Sequence, residues 1–254
     1  MMKTITYRKS YILASIAVFA SLYMIALKFI KGIPVYGFSG AKIKLAIALS
    51  PVYGLILGPL LAPLSILIGT LMAMFLMPSR YNVFSIATMF CAPLSALVSS
   101  LVLDKRKILN FPAWTYALLI YISLFIAWFT TDVGRKAFLF TIPYILAMVL
   151  IIISTITRRC RWYINHRKPF TLLYILTSST SGILADHFLG SLEAIIIFRY
   201  IFGHVGPDEL AKIYLIAMPL AATERFFMIL VAFILELHLY LILKYSGYLM
   251  TEVI

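Results

Sequence analysis

Acidic side chains are scarce in this chain. Asp and Glu number 9 among 254 residues against 22 Lys and Arg, and charged residues make up 12%, about half the share of an ordinary soluble domain. With 63% of residues hydrophobic and a mean hydropathy of +1.01, one aqueous core cannot hide the apolar side chains, and lipid is the natural solvent. Cysteine is nearly missing too. Cys91 lies in an apolar segment and Cys160 in a basic loop, a pattern that argues against a disulfide framework. No G-x-x-x-x-G-K-[ST] phosphate loop occurs, so any ATP hydrolysis must come from partners. Neither H-x-x-x-H nor H-E-x-x-H occurs, and a zinc site wants three or four ligands; no metal and no cofactor is expected. The net charge of +13 does not point to nucleic acid, because most basic residues sit between apolar runs, where they orient spans.

What is present is a series of apolar runs. They fall at about 11–30, 42–57, 60–77, 83–103, 112–130, 137–157, 170–189 and 213–243, each near the length of about 20 residues that a crossing needs. The expectation is a single integral membrane domain over 1–254, all-α, a polytopic transmembrane helical bundle. The basic start (Lys3, Arg8, Lys9) followed by an apolar run lacks a small-x-small cleavage site before a polar region, so it reads as an uncleaved first span. With the N-terminus inside, Lys105, Arg106, Lys107 and the run RRCRWYINHRK fall on the inner side. Both termini are therefore expected in the cytoplasm and the protein in the cell membrane. The inner basic run most simply meets anionic lipid head groups. Trp114, Trp128 and Trp162 land near span ends, as an aromatic belt would place them.

The stretch 36–77 organises the rest. Two apolar runs, Leu45–Leu57 and Leu60–Met77, are joined by Gly58-Pro59 without a charge between them, and prolines recur at 51, 59, 63 and 78. An apolar turn of this kind is tolerated at membrane depth where neighbouring protein covers the freed carbonyls. It predicts a tight helix pair inside a bundle, the first arm short for a crossing. On the first span, Ser10, Ala14, Ala17 and Ser21 put four small side chains on one helical face. Such a stripe lets another helix approach closely, whether from this chain or from a separate membrane subunit.

Polar groups within the spans are few enough to weigh singly. TSSTS at 177–181, with Gly182 after it, fits tight helix packing or a polar wall toward a substrate. Asp186 and His187 follow at the outer end, where they are solvated or bind something. Pro207-Asp208-Glu209 opens a helix in the ordinary way, and Pro219 is expected to bend it. Glu224 and Arg225, adjacent in sequence, do not face each other. Each wants its own partner, and ionisable groups in a span point to function by default. Glu236 and His238 lie deeper, where a proton relay would use such a ladder. Asn82, beside Arg80 and Tyr81, is a further outward polar group.

The first helix (ILASIAVFASLYMIAL), the loop GIPVYGFSGAKIKL, the turn Leu57-Gly58-Pro59 and the run to MPSRYNVFS together resemble the substrate-binding S component of energy-coupling-factor transporters. The last span, where a proline precedes a long helix (AMPLAATERFFMILVAFIL), is weakly similar. The resemblance implies about six core spans, with 112–157 as an extra hairpin. It also implies a small membrane protein that captures a vitamin or related micronutrient from outside and pairs with a transmembrane coupling subunit and ATPases. In that family the stripe on the first helix docks the coupling subunit, with alanines where this chain has serines at both ends. The loop after the first helix gates the site. Carried onto this sequence, the gate is Lys31–Lys44, and the expected substrate-binding residues are Tyr36, Lys42, Asn82, Asp186, His187, Glu224 and Arg225. The alternative class is an intramembrane enzyme using Asp186, His187 and Glu224 as acid-base groups.

Overall fold

The computed structural model describes residues 9–30, 32–34, 42–78, 83–160, 169–203 and 205–246. It is an all-α polytopic bundle. Among the described residues seven helices are long and apolar enough to cross a membrane. In chain order the elements begin with α1 (Lys9–Phe29), a short antiparallel ribbon of β1 (Gly32–Pro34) and β2 (Lys42–Lys44), and a 3-10 turn, Leu45–Leu49. Then come α2 (Ser50–Leu76), α3 (Val83–Ala87) and α4 (Cys91–Leu103). A two-residue hairpin of β3 (Lys107–Ile108) and β4 (Phe111–Pro112) leads to α5 (Ala113–Thr130), α6 (Asp132–Lys136), α7 (Ile142–Cys160), α8 (Pro169–Ile195) and α9 (Pro207–Tyr245).

The expected helix pair of 36–77 is one run, Leu45–Leu76, broken at Gly58. Gly58 has φ 73° and ψ −173°, a combination that glycine adopts freely and residues with a Cβ adopt only under strain. The chain reverses there. Tyr53 donates to the Phe19 carbonyl at 3.1 Å and meets the Tyr23 ring edge-on, while Gly69, sixteen residues on (69 − 53), lies against Ala20 and Tyr23 of the same turn of α1. A straight helix would hold those two positions about 24 Å apart.

Burial orders the bundle. The apolar windows of α8 and α4 are 67% and 61% buried and that of α1 is 11% buried, so α8 and α4 form the centre and α1 the margin. Small residues set the central contact: a side chain at Gly182 would collide with the Ser99 hydroxyl and the Ser95 carbonyl, and one at Gly54 with the Ala96 carbonyl. Close approach of this kind is what holds helices together where lipid offers no hydrophobic gain. The α5–α7 pair is built into the largest apolar cluster rather than appended to it. Tyr121 donates to the Ser181 carbonyl of α8 at 2.6 Å, and Tyr144 of α7 stacks on Phe188 at 4.0 Å.

One expectation fails in the structure. Trp128 is no belt residue. It is fully buried, stacked on Phe140 and donating its indole N–H to the Gly134 carbonyl at 3.0 Å, because the turn from α5 to α6 folds back over it. Trp162 lies outside the described residues. α9 stays helical through Pro219 for 39 residues. In lipid an open backbone finds no water, and helix persists.

Candidate functional site

One end of the bundle gathers the C-terminal part of α1, the start and finish of the Leu45–Leu76 run, the starts of α4 and α9, and the end of α8. Between them lies a cavity of about 160 Å³, room for on the order of ten water molecules. Its wall is mostly apolar and aromatic, including Tyr23, Phe84, Phe140 and Tyr214. Asp186, His187, Glu224 and Arg225 line it as well. These are the four expected site residues that sit on well-described helices, and the fold brings all four together.

Asp186 and Arg225 are not rim groups exposed to water, as the sequence suggests for the acid. They are 3% and 4% exposed, and Arg225 Nη1 donates to Asp186 Oδ2 at 3.2 Å. The pairing joins α8 to α9 and answers the question of which partner Arg225 finds. It is a single contact, not a fork. Among the described residues Asp186 Oδ1 and Arg225 Nε have no hydrogen-bond partner, and a buried polar atom left so is costly. Met228 Sδ lies 3.5 Å from the same Nη1. Glu224, one residue back, is half-buried on the cavity wall.

His187 is held from behind. Its Nδ1 lies 2.9 Å from the Tyr144 hydroxyl, and Tyr144 is itself clamped by its stack on Phe188, so the imidazole is fixed in rotation at the cavity edge. Cys91, which the sequence shows only as part of an apolar segment, is also a wall residue and donates its thiol to Glu193 Oε2 at 3.1 Å. No signal in one sequence links positions 102 apart on separate helices. No group of three or more His, Cys, Asp or Glu among the described residues could hold a metal ion.

Of the remaining expected residues, Tyr36 and Asn82 lie outside the described residues. Lys42 falls in β2, its backbone opposite Pro34 of β1. On α1, Ser10, Ala14 and Ala17 are exposed and Ser21 is half-buried; the helix meets its own chain through Ala20, Tyr23 and Leu27 instead. The small-residue stripe therefore faces largely away from the bundle. The TSSTS run packs inward. Ser99 donates to the Ser178 carbonyl at 3.2 Å, and the Ser178 and Ser179 hydroxyls are both hydrogen-bonded to the Glu236 carboxyl of α9.

Fold and composition define a multi-pass membrane protein with an ionisable cavity near one end. No family model matches the chain, and no solved structure matches it. It is similar to an uncharacterized protein of Methanocaldococcus jannaschii, 28% identical over 193 residues that cover 75% of this chain. The match spans 58% of that protein's own length.

Proposed function

We propose that this chain is a solute-capture subunit of a membrane uptake system, of the kind its resemblance to energy-coupling-factor S components implies. The observation that carries the reading is the cavity in which Asp186, His187, Glu224 and Arg225 converge. Asp186 Oδ1 and Arg225 Nε, which lack hydrogen-bond partners among the described residues, belong to residues of that wall. The aromatic wall supplies apolar contact, and the mixed acid, base and imidazole suit a small polar molecule such as a vitamin or its precursor. The cavity end faces outward if the basic loops at Lys105–Lys107 and 158–168 lie in the cytoplasm. The exposed face of Ser10, Ala14 and Ala17 is then the surface for a transmembrane coupling subunit, whose ATPases provide the energy.

Thermal unfolding of the purified protein against a panel of vitamins and precursors tests this. A ligand at a hundred times its Kd stabilises by about 2.7 kcal/mol, a clear upward shift in the midpoint. Glu224→Gln should keep the ligand-free midpoint and weaken the shift. A panel without any shift, together with failure to co-purify a coupling subunit, would refute the proposal.

The cavity also favours a second reading as an intramembrane enzyme, because Asp186, His187 and Glu224 share it. Against this stands their bonding. Asp186 is engaged by Arg225 and His187 by Tyr144, not by each other. Chemical turnover of a bound compound, lost in His187→Ala, would decide for the enzyme.

A further inference from the structure

Away from the cavity, α9 buries a second acid. Glu236 is 0% exposed, eleven residues (236 − 225) and therefore about 16 Å along the helix from Arg225. Among the described residues its hydrogen-bond partners are hydroxyls alone. Ser178 donates to Oε1 at 2.9 Å, and the Ser179 hydroxyl pairs with Oε2. Each serine has a second acceptor: the Ser99 carbonyl lies 3.3 Å from Ser178 Oγ and the Ile175 carbonyl 3.0 Å from Ser179 Oγ.

The elements packed around Glu236 are poor in charge. On α8 the next acid, Asp186, is eight residues (186 − 178) away, about 12 Å along the helix, and is paired with Arg225. Tyr174 of α8 and Tyr240 of α9 sit with Ile175 in an apolar cluster, and both are phenols. α4 brings Ser95, Ser99 and Ser100, and Tyr53 of α2 turns to Phe19 and Tyr23. His238 is exposed, its Nδ1 2.7 Å from the Ile234 carbonyl. Among the described residues no Lys, Arg or His is bonded to Glu236, and none forms an ion pair with it.

Hydrogen counting then separates the two forms of the acid. Each serine hydroxyl owns one hydrogen. If Glu236 were a carboxylate, both serine hydrogens would serve it, and a full negative charge would still be buried without a cation. One added proton satisfies the whole set. Glu236 Oε2–H donates to Ser179 Oγ, Ser179 passes its own hydrogen to the Ile175 carbonyl, and Ser178 donates to Oε1. We propose that Glu236 is a proton-binding site at membrane depth, and that its proton, shared with Ser179, clasps α9 to α8. Release of that proton leaves a charge that this serine face cannot hold, so the proton is part of the packing between the two helices that also carry Asp186 and Arg225.

Infrared difference spectroscopy on the full chain in lipid nanodiscs at neutral pH tests this. The wild type minus Glu236→Gln spectrum should show a protonated-carboxyl C=O stretch that shifts in deuterium oxide. Ser179→Ala should move that band to higher frequency without removing it. A difference spectrum with no such band overturns the proposal, as does a carboxylate band in its place that responds to sodium. Should Glu236→Gln fail to fold, Ser179→Ala against wild type decides alone, and an unmoved carboxyl band refutes the assignment.

Discussion

The Asp186–Arg225 pair makes a quantitative prediction. Its two side chains meet through one contact at 3.2 Å, both nearly sealed from solvent. Replacing either partner strands the other as an uncompensated charge, and breaking a buried pair in this way costs about 3–5 kcal/mol. Replacing both is another matter. Desolvation of the two ions is then no longer required, and an apolar substitute of similar volume is often neutral or stabilising. Because Asp186 Oδ1 and Arg225 Nε lack partners within the described residues, the native pair recovers less of its desolvation cost than a forked one would. Asp186→Leu and Arg225→Met should therefore each lower the unfolding midpoint, by ~6–20 °C at about 2–4 °C per kcal/mol. The double variant should return most of the way to wild type. The assay is thermal unfolding in detergent, followed by intrinsic tryptophan fluorescence, with all four proteins of the cycle measured together. If the two single losses simply add in the double variant, the side chains do not act as a pair, and the ionic account of the α8–α9 contact is refuted.

Further expectations rest on other parts of the fold. Gly58→Ala finds open space for its Cβ, yet the backbone at φ 73° penalises any side chain, so it should cost about 1–3 kcal/mol, read as a lower unfolding midpoint. Gly182→Ala drives a methyl into Ser99 and Ser95 and should destabilise by about 1–3 kcal/mol; in the same assay Ser99→Gly should restore part of the loss. Asp132, between spans, is held below the ordinary carboxylate value. Its slight burial pushes the other way, but hydrogen bonds from Tyr200, the Val133 N–H and Arg199 outweigh it. A depressed acid contributes stability above its unfolded-state value and loses it as pH falls through the folded one. Acid should therefore loosen the 131–136 turn, and Asp132→Asn should flatten that part of the midpoint-against-pH curve.

The sequence discloses those features whose cause is local. An apolar Gly58-Pro59 turn can survive only inside a bundle, so the helix pair is legible, and the same holds for the start of α9 at Pro207-Asp208-Glu209. Helical phase places Glu236 on the side of Arg225, and both are buried. Features set across helices are not legible. The partner of Arg225 is 39 residues away, and the neighbour of Cys91 is 102 residues away; adjacency on one helix says nothing about either. Trp128 is misplaced by sequence because a belt position assumes that a span-end ring faces lipid, whereas here Phe140 and the α6 turn cover it. Pro219 removes one hydrogen bond from the last helix. In a membrane every alternative to helix exposes more backbone than that one lost bond, so the helix continues.

The length of α9 has a mechanical corollary. Thirty-nine helical residues extend roughly 58 Å, whereas a hydrocarbon slab of about 30 Å crossed at the steepest common lean, about 40°, conceals only ~39 Å of rod. On the order of a dozen residues must therefore stand clear of the oily layer. The part that stands clear is continuous in helix with Arg225 and Glu236. A force applied to that stalk from the aqueous phase travels along one helix, past Pro219, to the floor of the hollow and the serine clasp beneath it.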